Sequence, residues 1–175
     1  MRWTIAVLTI PERKTELERI LGILQYQIAD RKDVAVLVAD QDWPVPAKRN
    51  WCLENAQGQY VNFVDDDDLV AHDYVDSIWP LLDGVDYIGF KQQYYLDGRK
   101  GHVAHHSLQY KEWYGDNTGW HRDVSHLNPI RTEIARQGLF GGGLLSEDDE
   151  WAKQVNPVTE HFIDKILYMY FDRSD

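Results

Sequence analysis

The chain has 175 residues and carries 18 Lys and Arg against 29 Asp and Glu, a net charge of −11, and its length suits one domain. A single cysteine, Cys52, excludes a disulfide framework and a cysteine-built zinc site, and no apolar run approaches the roughly 20 residues of a membrane span. The acidic balance argues against a surface that grips nucleic acid or anionic lipid by charge alone. Residues 3–10 (WTIAVLTI) read as a buried strand that ends at Pro11. Residues 14–29 read as a helix, because Leu17, Ile20, Leu21, Leu24 and Ile28 form one apolar stripe. Residues 34–39 (VAVLVA) are a second, nearly all-apolar strand. Such strands alternating with amphipathic helices predict an α/β fold with a mostly parallel central sheet flanked by helices. A loop with Pro44 and Pro46 leads to a helix over 47–57, stopped by Gly58. Residues 60–64 (YVNFV) form a third strand that runs straight into Asp65. A helix over 72–82, with Pro80 near its end, and a strand over 86–90 follow.

The second half is less regular. Asp97-Gly98 predicts a hairpin turn between residues 92–96 and a strand around 102–108. Residues 112–129 read as a long loop, and residues 131–137 as a short helix. Gly141-Gly142-Gly143 reads as a flexible joint, and Ser146 as the cap of a helix running to about residue 154. Residues 163–171 read as a closing strand. One domain over 1–175 is expected, and a boundary near residue 91 divides it only into subdomains. No signal-peptide pattern opens the chain, so a soluble cytoplasmic protein is expected.

The negative charge is concentrated. Asp65 to Asp68 and Glu147 to Glu150 hold eight acids in two short runs. Like charges so close repel, and they face solvent or a cation. The first run sits at the carboxyl end of a buried strand, where open α/β sheets bind ligands. Carboxylates there can hold Mg2+ or Mn2+, hard cations that bridge phosphate oxygens and stabilise a departing diphosphate. The plainer reading is a solvated turn, with Asp66 and Asp68 capping the next helix. Seven Trp and ten Tyr suit stacking on bases and sugars.

The order of motifs resembles the family 2 glycosyltransferases, which have the GT-A fold, a Rossmann-type single domain. Thr9-Ile10-Pro11-Glu12-Arg13 resembles the family's first-strand motif, and Asp40 closes the second strand. Lys48-Arg49-Asn50 resembles the start of its following helix. Residues 58–68 match the strand that leads to its Asp-x-Asp signature. Glu147-Asp148 with Trp151 resembles its late acidic motif, and residues 166–170 (ILYMY) its closing Leu-Tyr-x-Tyr strand. The chain is short for the family and looks like a minimal catalytic domain.

This resemblance implies a metal-dependent, inverting transfer of a hexose from a nucleotide diphosphate sugar, most simply a UDP-sugar, to a hydroxyl acceptor. Residues 1–90 would be the nucleotide-sugar-binding half and 91–175 the acceptor-binding half. Asp67 would bind Mn2+ or Mg2+, and Asp65 would meet the ribose or a metal-bound water. Asp40 would accept from a uracil-like imide. Thr9, Pro11, Arg13 and Asp66 would line the nucleotide pocket, with Lys48 and Arg49 contacting phosphate or balancing the acids. Asp148 is the candidate general base, with Asp149 as the alternative register, and Glu147 would hold the acceptor or orient its helix. His161 is a candidate third metal ligand. Trp120, His126 and Asn128 fall on the acceptor side, where Trp113, Trp120 and Trp151 are candidates to stack on a sugar. The acceptor could be a glycan, a lipid-linked sugar, a protein or a modified base.

Two other functions compete. A sugar-nucleotide nucleotidyltransferase shares this architecture but uses a glycine-rich loop where this chain has residues 9–13 (TIPER). A non-catalytic nucleotide-sugar-binding module would keep the pocket but has less need of the late acid.

Overall fold

A computed structural model describes residues 1–141 and 147–172. Its strands are β1 (Trp3–Leu8), β2 (Val34–Ala39), β3 (Tyr60–Asp65), β4 (Leu69–Val70), β5 (Tyr87–Leu96), β6 (Arg99–His106), β7 (Tyr114–Asp116), β8 (Gly119–Arg122), β9 (Ile130–Arg131) and β10 (Glu160–Asp172). The helices are α1 (Lys14–Ile28), α2 (Val45–Asn55), α3 (Tyr74–Ile78), α4 (Thr132–Ala135) and α5 (Glu147–Ala152). All ten strands join one sheet in the order β2-β1-β3-β9-β5-β6-β8-β7, with β10 pairing β5 and β4. The nucleus is parallel: β1 pairs β2 and β3 in parallel, and β5 pairs β10 in parallel. Pairs such as β3 with β9 and β5 with β6 are antiparallel, so the sheet as a whole is mixed.

Strand periodicity divides the core in two. Trp3, Ile5 and Val7 of β1 face a cluster with Ile20 and Leu24 of α1 and Val75 and Ile78 of α3. Ala6 and Leu8 face the opposite cluster, with Cys52 and Leu53 of α2 and Trp151 of α5. β3 splits the same way, Val64 to the first cluster and Phe63 to the second. Helices on both faces bury the sheet, so β1 and β3 read as near-continuous apolar runs. Asn62 is the buried exception on β3; it accepts from Trp3 Nε1 at 2.8 Å and donates to the Tyr74 hydroxyl at 2.8 Å.

Several expectations need correction. α2 starts two residues earlier than read, because Pro46 in its first turn loses no hydrogen bond there. The helix also ends at Asn55, before Gly58. Gly58 serves a close approach instead: a Cβ there would lie 2.5 Å from the Thr4 amide nitrogen. Gly58→Ala therefore pushes the ends of β1 and β3 apart, and denaturant unfolding should show a loss of about 1–3 kcal/mol. The helix read over 72–82 is only α3, followed by a 3-10 turn at Trp79–Leu81 that contains Pro80. Residues 112–129 are not all loop, because β7 and β8 form a hairpin there. Residues 130–135 start as strand β9 and only then turn into α4. Asp97 and Gly98 have φ of 48° and 73° and close the β5–β6 hairpin as the sequence predicts. β5 runs unbroken across residue 91, so the two expected halves share a strand. The Ser146 cap and Gly142-Gly143 lie outside the described residues. Among the described residues, no helix is long and apolar enough to cross a membrane.

Candidate active site

The carboxyl ends of β1 and β3 open into two adjoining cavities. One, of about 270 Å3, has Thr9, Arg13, Lys48, Asp66 and Asp67 on its wall. The other, of about 520 Å3, has Trp113, Arg122, His126 and Asp148 on its wall. Arg49, Asp65, Glu147 and Tyr170 border both, so the two acidic runs of the sequence meet across one partition.

The four aspartates from the last residue of β3 onward alternate in role. Asp66 and Asp68 are 1% exposed, whereas Asp65 and Asp67 are partly open to the cavity. Asp66 accepts from Thr9 Oγ1 at 2.6 Å and from Arg13 Nη1 at 3.0 Å. Asp68 accepts from the Tyr168 hydroxyl at 2.7 Å and the Phe171 amide at 2.8 Å. Neither caps a helix, because β4 follows and pairs with β10 (Tyr168 opposite Val70). Burial and the neighbouring Asp65 push the Asp68 carboxyl well above the usual range. Burial also raises Asp67, with Asp65 and Asp66 adding repulsion that Arg13 only partly offsets. Arg13 Nη1 lies 2.7 Å from Asp67. Arg19, which the sequence did not single out, donates to the Asp67 carbonyl at 3.2 Å.

Arg49 is the buried cation of the partition. Its Nε donates to Glu147 at 3.1 Å and its Nη2 lies 3.5 Å from Asp65. Its guanidinium also stands 5.2 Å from the Phe63 ring centre. Burial works against its charge, but Asp65 and Glu147 outweigh burial and raise its pKa. Burial likewise raises the Glu147 carboxyl against the pull of Arg49. Lys48, by contrast, spends its ammonium on the Thr9 carbonyl at 2.6 Å and is 2% exposed, so it braces the β1 end.

Asp148 faces the larger cavity. Arg122 forks between two carboxylates, Nη1 to Asp148 and Nη2 to Asp149, each at 3.1 Å. The Asp148 side chain is 26% exposed and that of Asp149 is 56%, so Asp148 is the inward member of the pair. His126 Nδ1 lies 3.6 Å from Asp148. Burial, then Arg49 and Arg122, drive the His126 pKa well below its ordinary value, so this contact joins a neutral ring to a carboxylate and is not an ion pair. Arg122 was missed because residues 112–129 read as loop. A short aromatic-polar run flanking the Asp116–Gly119 turn was the available hairpin signal.

Other expected site residues lie elsewhere. Asn128 is fully buried and bonds His106 Nδ1 at 2.8 Å and the Ile88 carbonyl at 3.0 Å; it supports the fold and is not on the cavity wall. Trp120 borders a separate hollow beside the β5–β6 hairpin. Trp151 is buried against Phe140, with ring centres 5.0 Å apart. Pro11 and Asp40 are exposed and off both cavity walls. His161 is exposed at the start of β10, opposite Ile88. It stands seven steps along the strand from Tyr168, which touches the acidic run, and a strand rises about 3.3 Å per residue, so His161 is out of reach as a ligand beside Asp67.

Among the described residues, no three His, Cys, Asp or Glu side chains converge as a ready-made metal cage. Asp65 and Asp67 nevertheless suit a hard divalent cation, which commonly takes one or two carboxylates and completes its shell with phosphate and water.

Known proteins share this architecture. The model of the family "Glycosyl transferase family 2" matches residues 19–140. Glycosyltransferase GlyA of Streptococcus pneumoniae serotype 4 is 27% identical over 144 residues, covering 71% of this chain and 20% of that protein. The chain thus spans about a fifth of that curated relative's length. S. aureus TarS 1-349 in complex with UDP-GlcNAc matches all of this chain and 60% of its own, with a TM-score of 0.74 at 17% identity. Bifunctional IspDF from Campylobacter jejuni matches 94% of this chain and 50% of its own, with a TM-score of 0.52 at 10% identity. The structural likenesses establish the fold, and the family match covers most of the chain: it belongs to glycosyl transferase family 2.

Proposed function

We propose that this chain carries out metal-dependent, inverting transfer of a hexose from a UDP-sugar to a hydroxyl acceptor. The carrying observation is the pair of adjoining cavities, with Asp67 on one side of the Arg49–Glu147 partition, Asp148 on the other, and Asp65 bordering both. The smaller cavity is the donor side. Arg13 faces the diphosphate there, Thr9 and Asp66 shape the wall, and Asp40 lies beyond it to accept from the base. Mn2+ or Mg2+, held by Asp67 with Asp65, would neutralise charge on the departing diphosphate. TarS, solved with UDP-GlcNAc, supports a nucleotide sugar as donor. Asp148 takes the proton of the acceptor hydroxyl as that oxygen attacks the anomeric carbon from the face opposite the nucleotide. Arg122 aims its carboxylate, and Glu147 keeps Arg49 in place between the two sides.

Calorimetric titration of UDP with Mn2+ and then with EDTA tests this reading. Metal-dependent UDP binding is the expected outcome. Asp67→Asn should weaken it by at least about tenfold, the scale of losing one ligand or its supporting contact at a metal site. Equal UDP affinity with Mn2+ and with EDTA would remove the metal from the scheme.

A further inference from the structure

The cavity beside Asp148 holds hydrogen-bonding capacity that the protein leaves unspent. Among the described residues, Arg49 Nη1, Gln92 Oε1, Arg122 Nε and both ring nitrogens of His126 have no hydrogen-bond partner. The four residues are 5%, 1%, 7% and 7% exposed, and all border this cavity. Buried polar groups are rarely left unpaired, so a group of them on one wall marks a place built for a polar occupant. The neutral His126 ring adds one donor and one acceptor.

Charge limits what that occupant can be. The carboxylates of Asp65, Glu147, Asp148, Asp149 and Asp172 border the same cavity. Its two arginines are already ion-paired with four of them. An anionic acceptor meets net repulsion there. An ammonium group suits the carboxylates but cannot accept from the unspent guanidinium N–H groups of Arg49 and Arg122, so hydroxyl oxygens must meet those. A neutral polyol supplies donors and acceptors together. Trp113 is 43% exposed at the rim, with Arg122 5.0 Å from its ring centre, and offers an apolar face. Sugar rings stack on such faces.

We infer that the acceptor is a sugar without anionic groups, its hydroxyls held by Gln92, His126 and Arg122 and its ring laid on Trp113. Naming this occupant the acceptor rests on the transferase reading above; its chemistry rests on the cavity alone.

Saturation-transfer NMR on the full chain tests the inference. The neutral probes are methyl glycosides of glucose, galactose and N-acetylglucosamine. The charged probe is the anionic methyl glycoside of glucuronic acid. At least one neutral glycoside should bind about tenfold or more tightly than the anionic sugar, the scale of one unfavourable charge contact. Gln92→Leu should abolish its signal. Trp113→Ala, at an exposed position that leaves the core intact, should weaken it about fivefold or more, the scale of one aromatic contact. Binding of the anionic sugar as tight as the neutral ones, a signal unchanged in both variants, or no binding of any probe overturns the inference. UDP titration of the same samples separates the two readings. UDP binding without a preference for neutral sugars sinks only the inference, and neutral-sugar binding without UDP binding sinks only the transferase reading.

Discussion

Asp148→Asn should lower kcat for sugar transfer by about 10²–10⁴-fold, the usual worth of a positioned general base. Asn keeps the size of the side chain and can still accept from Arg122, but it cannot take a proton. Arg122 also keeps its second partner, Asp149, at 3.1 Å, so the variant leaves no buried guanidinium unpaired. The fold and the donor side should therefore survive, and the Kd for UDP should stay within about twofold, because the lost interaction belongs to the transition state. Asp149→Asn is the matched control. Its side chain is 56% exposed, and transfer should change little when it is replaced. A large loss from Asp149→Asn with activity kept in Asp148→Asn would move the base by one residue. Activity kept in both would remove this helix from the chemistry.

The first half of the molecule was legible because periodicity there has a direct physical cause. β1, β2 and β3 are covered on both faces and must be apolar nearly throughout, and α1 must show one stripe. The aspartate run was legible as charge but not as geometry. Four identical residues carry no signal of which parity turns inward. Tyr168 and the Phe171 amide on β10, a hundred residues away, pull Asp68 in, while Thr9 and Arg13 hold Asp66. The resemblance favoured Asp65 and Asp67, and these are the two left open to the cavity. Beyond residue 91, pairing is mostly long-range and strands such as β7 and β8 are too short to show alternation. That obscured Arg122. It also made Asn128 look available, although its bonds to His106 and Ile88 bury it. Lys48 misled for a different reason: a lysine near acids reads as a phosphate ligand, but its ammonium is committed to the Thr9 carbonyl.

Arg49→Met should be the most destabilising single change at the site. The arginine side chain is 6% exposed and its partner Glu147 is 10% exposed, so the pair is desolvated. Removing one member of a buried pair strands the other, at a cost of about 3–5 kcal/mol. Asp65 at 26% exposure recovers part of its hydration and adds less. The contact of the guanidinium with Phe63 is lost as well, although Met refills some of that space. The pH dependence separates this mechanism from simple repacking. Burial already raises the Glu147 carboxyl above its unfolded value, and without Arg49 it rises further. A carboxyl raised in the native state binds more protons folded than unfolded, so its contribution is favourable below the unfolded pKa and is lost as pH rises through the folded value. The deficit of Arg49→Met against wild type should therefore be smaller at pH 5 than at pH 8, as read by urea unfolding at both. Adding Glu147→Gln to Arg49→Met should restore part of the stability and flatten that dependence, because a neutral amide needs no cation. A deficit that is the same at both pH values would mean that Arg49 stabilises this partition by packing rather than by charge.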